Sequence, residues 1–487
     1  MMRSLFSAVS GLKSHQTRMD VIGNNIANVN TNGFKSSRAT FADMLSQTQS
    51  GASAPTGNLG GTNPKQIGLG VSVASTDLLF TDSSAQSTGK NTDLALSGNG
   101  LFVVKTSSGT YYTRDGNFSF DALGNYVMHG NGGFVQGWMA DANGTLSTAS
   151  TPEAITIPSG KAMDAKATSN ITYSGNLNSS VPTIVSMKDQ NGNAVTTPTA
   201  VDGTTIHSLT LTLSDGTTQI ITAKNRDVKY TPATATAPGH SVPMTTIANV
   251  YDSLGNLHKV LLNFEKASST ATPPNTYDTW QVSLGTTEIK EADGSVTTLA
   301  MTPVTLKFDY SGKFVSGSGS PTITLTNGAG STSAGSATPL SSMTATVNLS
   351  RLTQYSGSNT EKADADGNAA GTLKEVSVDA SGIITGTYTN GVKRNEAQVA
   401  IAQFNNASGL TKLGGNFYQE SNNSGVANVK TASDLGVTIT PSALEMSNVD
   451  IANEFSDMIV TQRGFQSNSK IITVDDEMLE TVIGMKR

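Results

Sequence analysis

Few residues of this chain have the types and spacing that catalysis or metal binding needs. The sequence has no Gly-x-Ser-x-Gly nucleophile motif, and because it has no cysteine it has no thiolate nucleophile or thiolate metal site. None of the histidines has a metal-ligand spacing to another; they are His15, His129, His207, His240 and His258. We therefore expect no enzyme active site, no metal and no cofactor.

Three short patterns resemble ligand-binding loops but are incomplete. Asp364-Ala365-Asp366-Gly367 begins like a calcium loop and lacks the remaining ligands, including the closing glutamate. Gly68-Leu69-Gly70 and Gly130-Asn131-Gly132-Gly133 have the glycines of a phosphate loop, but neither opens a helix in a βαβ unit. We interpret all three as turns.

Apolar residues recur every seven positions at both ends of the chain, which is the spacing that keeps one seam of a helix against a partner helix. The N-terminal set is Leu5, Leu12, Met19 and Ile26, widened by Val9 and Ile22. The C-terminal set is Ile451, Met458, Phe465, Ile472 and Leu479, widened by Phe455, Ile459, Val482 and Ile483. We predict that the two ends pair as helices and that many copies of the pair pack side by side through these residues.

The predicted helices have recognisable ends. The first covers residues 4–28 with Ser4 as its N-cap, and the second begins near Val449 with Ser447 as its N-cap and Asp450 in its first turn. Acidic residues outnumber basic ones after Asp450, whereas residues 1–38 are mainly basic, which favours pairing of the two ends. The alternative for each apolar row is an ordinary amphipathic helix lying on the core of its own domain.

Between the ends, the composition favours β-structure. Only 14% of the 487 residues are charged, and 48 are glycine. Short apolar runs alternate with turn residues; the clearest hairpin joins Leu209–Leu213 to Gln219–Ile221, and Asn390-Gly391 marks another turn. The tract 46–70 has almost nothing to bury, so we expect it to be extended or adaptable.

The predicted fold is α+β and mostly β, with a coiled-coil-like pair of terminal helices and nested β domains made of antiparallel hairpins and barrels. The predicted divisions are a helical domain of 1–30 and 447–487, a linker region of 31–70 and 428–446, a first β domain of 71–148 and 371–427, and a central β domain of 149–370.

Charge and hydropathy limit the partners and the location. The net charge is only −6, and Lys and Arg form no runs, so we expect no nucleic-acid partner. No apolar segment is long enough to span a membrane, and the first residues lack the continuous apolar region of a cleaved signal peptide. We expect either a cytoplasmic protein or one exported without such a signal.

Several strings resemble the rod and hook axial proteins of bacterial flagella. The terminal signatures are Asn24–Lys35 and Leu444–Asp450 with Met458–Gln466, and the strings Asp93–Val103 and Tyr112–Phe118 are similar to the β domain that rod and hook subunits share. Val250–Asn256 and Ala400–Leu410 resemble the hook members in particular. Within the signatures, the matching motif residues are Asn25, Ala27, Asn28, Thr31, Gly33, Phe34, Ser447, Asn448, Val449, Asp450, Gln462 and Arg463.

The resemblance implies a structural subunit of the hook, a curved, hollow, flexible joint that transmits torque from rod to filament. It implies terminal helices that line a channel, β domains in outer layers, and export through the flagellar type III apparatus. The implied partners are further copies of the chain, rod proteins, hook–filament junction proteins and a hook cap protein.

Two other functions remain open at this point. A distal-rod subunit would share the terminal signatures but would lack most of residues 150–360. A secreted β-rich carbohydrate-binding adhesin or glycosidase could use Trp138 and Trp280 as sugar platforms, although only 6% of the residues are aromatic.

Overall fold

The structure of the chain is a computed structural model. It describes residues 2–57, 60–202, 205–222, 229–234, 239–267, 278–290, 296–309, 311–317, 321–327 and 342–485. The chain forms two compact units: unit 1 contains Met1–Lys161 and Leu373–Arg487, and unit 2 contains Ala162–Thr372. Unit 2 is thus an insertion between the two halves of unit 1. The central β domain that we predict from the sequence begins at residue 149, which is thirteen residues before the first residue of unit 2.

Two helices stand at the ends of unit 1, α1 (Met2–Ala27) and α2 (Ile451–Gly484). The strands of its first half are β1 (Ser37–Asp43), β2 (Ser46–Ser50), β3 (Lys65–Gly68), β4 (Val71–Leu78), β5 (Ala85–Ser87), β6 (Leu94–Ser97), β7 (Leu101–Thr106), β8 (Gly109–Thr113), β9 (Phe118–Phe120), β10 (Tyr126–Met128), β11 (Phe134–Met139) and β12 (Glu153–Ala154).

The chain continues through the strands of the insertion, which are β13 (Ala162–Met163), β14 (Asn170–Asn178), β15 (Ile184–Asp189), β16 (Ala194–Val195), β17 (Leu209–Leu213), β18 (Thr218–Ile221), β19 (Met244–Tyr251), β20 (Leu257–Ala267), β21 (Asp278–Leu284), β22 (Glu288–Lys290), β23 (Val296–Ala300), β24 (Val304–Phe308), β25 (Phe314–Gly317), β26 (Thr322–Asn327), β27 (Met343–Tyr355) and β28 (Lys362–Ala365). The remaining strands are β29 (Gly371–Val378), β30 (Ile383–Tyr388), β31 (Lys393–Val399), β32 (Ile401–Gln403), β33 (Thr411–Gly414), β34 (Phe417–Gln419), β35 (Asn428–Lys430), β36 (Thr438–Pro441) and β37 (Ala443–Glu445), and a short 3-10 helix covers Ala407–Gly409.

Both helix starts differ from the prediction. Helix α1 already includes Met2, so Ser4 lies inside the helix and is not its N-cap. The N-cap of α2 is Asp450, whose carboxylate accepts hydrogen bonds from the backbone N–H groups of Ala452 and Asn453 at 2.9 and 3.3 Å. A carboxylate both satisfies these free donors and complements the positive end of the helix dipole, so Asp450 serves as the cap rather than Ser447.

The β part of unit 1 is built around one sheet that interleaves the two halves of the chain. Its strands follow the order β30-β31-β11-β7-β8-β34-β33, and the predicted turn at Asn390-Gly391 is confirmed as the connection between β30 and β31. A continuous apolar core lies against these strands; its fully buried members include Leu94, Phe102, Val104, Phe118 and Tyr126. Residues of strands β5 and β6 pair with β37 and β36, which ties the segment before α2 to the first half of the chain.

In the described part of unit 2 the strands form three sheets, with the orders β22-β23-β26-β27-β14-β28, β16-β15-β17-β18 and β19-β20-β21-β24-β25. The predicted hairpin of β17 and β18 is confirmed, with Leu209, Leu211 and Leu213 buried on one face. One pairing departs from the predicted antiparallel pattern, because β14 and β27 run parallel. These strands lie near the beginning and the end of the insertion, so no hairpin turn joins them.

The predicted extended tract of 46–70 contains a small hairpin. Strands β2 and β3 pair antiparallel, and every residue of both strands is exposed. The tract therefore forms regular backbone hydrogen bonds but buries nothing within its own hairpin.

Candidate assembly site

The two terminal helices pack against each other along an antiparallel seam. Asn25 of α1 donates from Nδ2 to Oε1 of Glu454 at 2.9 Å, and Arg18 forms an ion pair with Asp457 at 3.2 Å. Further along, Gly11 lies directly against the side chain of Asn468. The register is constant: moving back along α1 from Asn25 to Gly11 moves forward along α2 from Glu454 to Asn468 by the same number of residues.

This seam is small and polar, which differs from the predicted apolar seam. The only buried residues of α2 within the described chain are Thr461 and Asp475, which belong to the same seven-residue series as Glu454 and Asn468. Glycine allows the close approach, because a Cβ on Gly464 would lie 2.7 Å from the ring of His15. Polar contacts and glycines thus close the seam, and the apolar rows lie along its margins.

The predicted interface residues are consequently left largely uncovered. Ile22 alone is fully buried, at 4% exposure. Half-buried positions are Leu5, Leu12, Met19, Ile26, Met458, Ile472 and Leu479. Exposed positions are Val9, Ile451, Phe455, Ile459, Phe465, Val482 and Ile483, with Phe455 at 50%, Ile459 at 58% and Ile483 at 70% exposure. A row of large apolar side chains exposed on one helix is a feature of protein interaction surfaces.

A buried ion cluster, which we call the junction triad, joins the base of the helices to the β part of unit 1. It consists of Lys35, Arg114 and Glu445, each with a side chain no more than 1% exposed. The two carboxylate oxygens of Glu445 accept from Nζ of Lys35 at 2.6 Å and from Nη1 of Arg114 at 3.0 Å. Burial lowers the pKa of the Lys35 ammonium, although the Glu445 carboxylate acts in the opposite direction.

Backbone carbonyls complete the coordination of the two cations. Lys35 also donates to the carbonyl oxygen of Thr81 at 2.6 Å, and Arg114 donates to the carbonyls of Leu96 and Gly98. The half-exposed carboxylate of Asp82 lies 3.4 Å from Arg114. Removing the central carboxylate would leave two buried cations without their principal counter-ion, which is strongly unfavourable.

The motif residues of the two signatures surround this triad. Asn448 accepts from the backbone N–H of Ser36 at 2.7 Å and donates to the carbonyl of Leu79 at 2.8 Å. Asn25 is buried and forms two hydrogen bonds with the backbone of Ser37. Gly33 has φ = 66° and donates its N–H to the carbonyl of Glu445 at 2.8 Å, and a Cβ there would lie 2.6 Å from the backbone of Asp115. A side chain is therefore excluded at Gly33 by both conformation and space.

The other motif residues have more varied surroundings. Phe34 is buried, and the ammonium of Lys412 lies 3.8 Å from the centre of its ring. Asn28 and Thr31 form the turn after α1, Ser447 accepts from the N–H of Val449 at 3.4 Å, and Asp450 caps α2. Exposed motif residues are Ala27, Asp450, Gln462 and Arg463. The structure thus brings the two signatures together at one place, apart from Gln462 and Arg463 farther along α2.

The triad was not predicted as a cluster, because its members are separated by hundreds of residues. In the sequence, each of its members is a charged residue within or next to a short apolar segment or a turn, as Glu445 is after Leu444. That signal becomes specific only when the pairing of strands β5 and β37 is known.

The remaining candidate chemistry does not form a site. His240 pairs with Glu265 at 3.0 Å and His258 lies 3.5 Å from Asp252, and among the described residues no group of three acidic or histidine side chains could hold a metal ion. Trp138 and Trp280 are 3% and 1% exposed, so neither can be a sugar-binding platform. Within the same described residues, neither helix has the length and apolarity to cross a membrane.

The β part of unit 1 and the sheets of unit 2 have buried apolar cores, whereas the terminal helices pair through a polar seam and expose apolar rows. This combination is typical of a structural protein that assembles with other chains. Family models support this class in four places. They are the "flagella basal body rod protein" model at residues 5–35, the "flagellar hook protein FlgE/F/G D1 domain" at 95–179, the "flagellar basal body protein FlaE D2 domain" at 225–368 and the "flagellar basal body rod FlgEFG protein C-terminal" model at 440–485.

Full-length relatives identify the family. The flagellar hook protein FlgE of Treponema pallidum is 36% identical and that of Borreliella burgdorferi 38% identical, and each comparison covers 100% of both chains. The chain therefore belongs to the flagellar hook protein family, and it is a structural component of the bacterial flagellar hook.

The rod alternative fits the chain less well. The flagellar basal-body rod protein FlgG of Bacillus subtilis is 52% identical, but the match covers only 28% of this chain and 54% of that protein. The hook relatives, in contrast, match the whole chain and therefore also the insertion.

Proposed function

We propose that hook subunits polymerise by burying the exposed apolar rows of α1 and α2 against the helices of neighbouring copies. The observation that carries this proposal is that the helices are already paired, and that Phe455, Ile459 and Ile483 are still half to mostly exposed. The seam cannot bury these side chains by closing further, because polar residues already fill it. Neighbouring subunits are the remaining source of cover.

The energetics favour this arrangement. Complete burial of a fully exposed large apolar side chain contributes about 1.5–3 kcal/mol. The side chains of these rows are partly exposed and would each gain a fraction of this, so about ten of them per subunit together favour assembly. In a lone subunit the helices lack that contribution, whereas the conformational entropy opposing their order remains. Helix ordering and assembly are therefore coupled.

The junction triad has a mechanical role in this proposal. A hook transmits torque between the helices of the inner tube and the β domains, and the segments 28–37 and 443–450 are the covalent connections between the two helices and the β part of unit 1. Lys35 and Glu445 lie in these two segments, and buried ionic hydrogen bonds connect them to each other and to Arg114, the residue that follows strand β8. The connection is therefore stiff at the base of the helices, and bending is expected to arise between subunits and in the exposed hairpin of β2 and β3.

The finer features of the predicted function belong to the same proposal. The helix pairs form a coiled-coil-like inner tube, and the β units form outer layers of a curved, hollow joint. The chain is exported through the flagellar type III apparatus without a cleaved signal peptide, adds beneath a hook cap protein, and contacts rod proteins at one end and hook–filament junction proteins at the other. The absence of cysteine supports this route, because no disulfide can form in transit.

A single substitution tests the polymerisation proposal. Phe455→Asp places a charge in the exposed apolar row and should abolish polymerisation of the purified chain, as judged by electron microscopy and sedimentation. Phe455→Leu is the matched control and should polymerise. Intact polymers of Phe455→Asp, with the same subunit packing as the parent, would contradict the proposal.

A further inference from the structure

The register of the seam leaves one end of α2 without a partner helix. Since Gly11 faces Asn468 in constant register, Met2 lies opposite the turn of α2 that contains Glu477. Residues 478–485 therefore extend past the first residue of α1. We call this segment the α2 overhang; its length is about 10 Å at 1.5 Å per residue.

The overhang is apolar on one side and acidic on the other. Met478, Val482, Ile483 and Met485 are exposed by 43, 44, 70 and 76%. Glu480 is exposed within the segment, and Asp476 and Glu477 are exposed immediately before it. An isolated amphipathic helix end of this kind gains little from helix propensity alone and needs an apolar surface to pack against.

A matching surface lies on the other side of α1, between that helix and strand β4. This α1 groove is lined by Phe6, Val9, Lys13, Met44, Val71 and Val73, together with serine and threonine side chains. Phe6 and Met44 are 66 and 52% exposed, so the groove is open along its length. From Phe6 to Thr17 it follows about 16 Å of α1, which is long enough to hold the overhang.

The charges along the helix side of the groove are basic, and its strand side carries one exposed carboxylate, Asp43, whose cross-strand partner is the groove residue Val71. Lys13 is exposed on the groove, and Arg3 is exposed nearer the start of the same helix, whereas α1 has no acidic residue before Asp20. The exposed charges of the overhang and the turn before it are acidic, and the two basic residues that follow in the sequence, Lys486 and Arg487, lie outside the described residues. Opposite charges around an apolar contact steer the encounter and favour one orientation.

We propose that the α2 overhang of one subunit docks in the α1 groove of a second copy, with Lys13 facing the acidic side chains of the overhang. Within one chain the contact is impossible, because Ile483 lies about 20 Å along the helix axis from the part of α2 that faces Val9. The contact therefore links two subunits end to end along the helix direction. It rests on the polymerisation proposed above and names one specific contact within it.

Because the chain has no cysteine, disulfide trapping can test this contact without background. Mixed polymers are assembled from Val9→Cys subunits and Ile483→Cys subunits and then oxidised. Disulfides need Cα atoms within about 7 Å, so the expected result is a covalent dimer that contains one chain of each kind. The matched control replaces Val9→Cys by Gln16→Cys, which is exposed on α1 but does not line the groove, and it should give at least tenfold less dimer.

The outcomes separate this inference from the proposed function. If polymers form and the Val9 pair gives no more dimer than the Gln16 control, the docking inference is wrong and polymerisation stands. If the cysteine-free parent does not polymerise, the proposed function itself fails.

Charge reversal gives an independent decision if the cysteine variants assemble poorly. Lys13→Glu should raise the critical concentration for polymerisation several-fold, and adding Glu480→Lys should restore most of the loss. An additive effect of the two reversals, with no restoration, would overturn the inference.

Discussion

The β part of unit 1 and the terminal helices of the same unit bury their apolar side chains very differently. In the β part, Phe102, Phe118 and Tyr126 are completely buried, and the centre of the Phe118 ring lies 5.0 Å from that of Phe102 and 5.3 Å from that of Tyr126. In α2, Phe455 and Ile459 are half exposed, and the residues that are buried are Thr461 and Asp475. The β part thus has a core of its own, whereas the helix pair has only a seam.

This contrast separates two tasks within one compact unit. A closed core stabilises a subunit before assembly, and on the polymerisation proposal the exposed rows of the helix pair are buried only among neighbours. The junction triad lies where the two regions meet and is as deeply buried as the β core. We infer that it belongs energetically to the β part and holds the helices at a fixed starting point.

The largest effect is expected from two matched phenylalanines. Phe102→Ala should lower the free energy of unfolding of unit 1 by about 4 kcal/mol, because it leaves a cavity in a closed core. Phe455→Ala should change it by less than about 0.5 kcal/mol, as expected for an exposed site, yet should weaken polymerisation. Urea unfolding followed by Trp138 fluorescence in a Trp280→Phe background measures both. Equal losses for the two variants would remove the contrast.

The junction triad should give the next largest effect. Glu445→Ala is expected to cost about 3 kcal/mol, because it leaves Lys35 and Arg114 buried without their shared carboxylate. Asp82→Ala is the matched control; this carboxylate also pairs with Arg114 but is half exposed, so its loss should cost less than about 1 kcal/mol. The same urea experiment applies, and a Glu445→Ala variant as stable as Asp82→Ala would show that the triad is not part of the stable region.

Replacing two helical glycines by alanine should affect helix stability differently. Gly23→Ala adds a methyl group where no atom lies within 4 Å, and it should stabilise α1 by about 1 kcal/mol through helix propensity. Gly464→Ala adds one that would lie 2.7 Å from the His15 ring, so the seam must open and the gain should be lost. Thermal melting of the helical circular dichroism signal compares them. A similar rise for both would mean that the seam is looser than described.

The smallest effect is a pH dependence of the helix pair. Burial, with a smaller contribution from Arg18, lowers the pKa of His15 below its usual 6.5. As the pH falls through 6.5, the unfolded chain binds protons that the folded chain does not, so helix stability should decrease between about pH 7.5 and pH 5.5. Burial raises the pKa of the Glu454 carboxyl, so this group acts in the opposite direction and favours the folded state as the pH falls. His15→Gln should flatten this part of the profile; an unchanged slope would exclude His15 as its source.

Much of this difference between the β part and the terminal helices can be predicted from the sequence. The seven-residue rows identify both helices, and the alternation of Leu209, Leu211 and Leu213 identifies a hairpin, because side-chain periodicity directly reflects which face is buried. The positions of the apolar rows therefore follow from residue spacing alone.

The polar seam and the junction triad cannot be predicted from residue spacing in this way. Glu454, Thr461, Asn468 and Asp475 also recur every seven residues, but polar residues at that spacing are ordinarily solvent-exposed. The burial of Thr461 and Asp475, and the partial burial of the other two, follow only from the close approach that Gly11 and Gly464 permit. The triad depends on strand pairings between distant segments, with Lys35 and Glu445 separated by 410 positions. N-caps are local, but Ser447 and Asp450 both qualify by residue type, and only the backbone geometry distinguishes them.

Amide hydrogen exchange of the full-length chain, as monomer and as polymer, tests the central claim most directly. The account predicts strong protection of strands β7 and β11 in both states, and weak protection of α1 and α2 in the monomer that rises at least a hundredfold in the polymer. Helices as strongly protected in the dilute monomer as the β core, with no further gain on polymerisation, would contradict it.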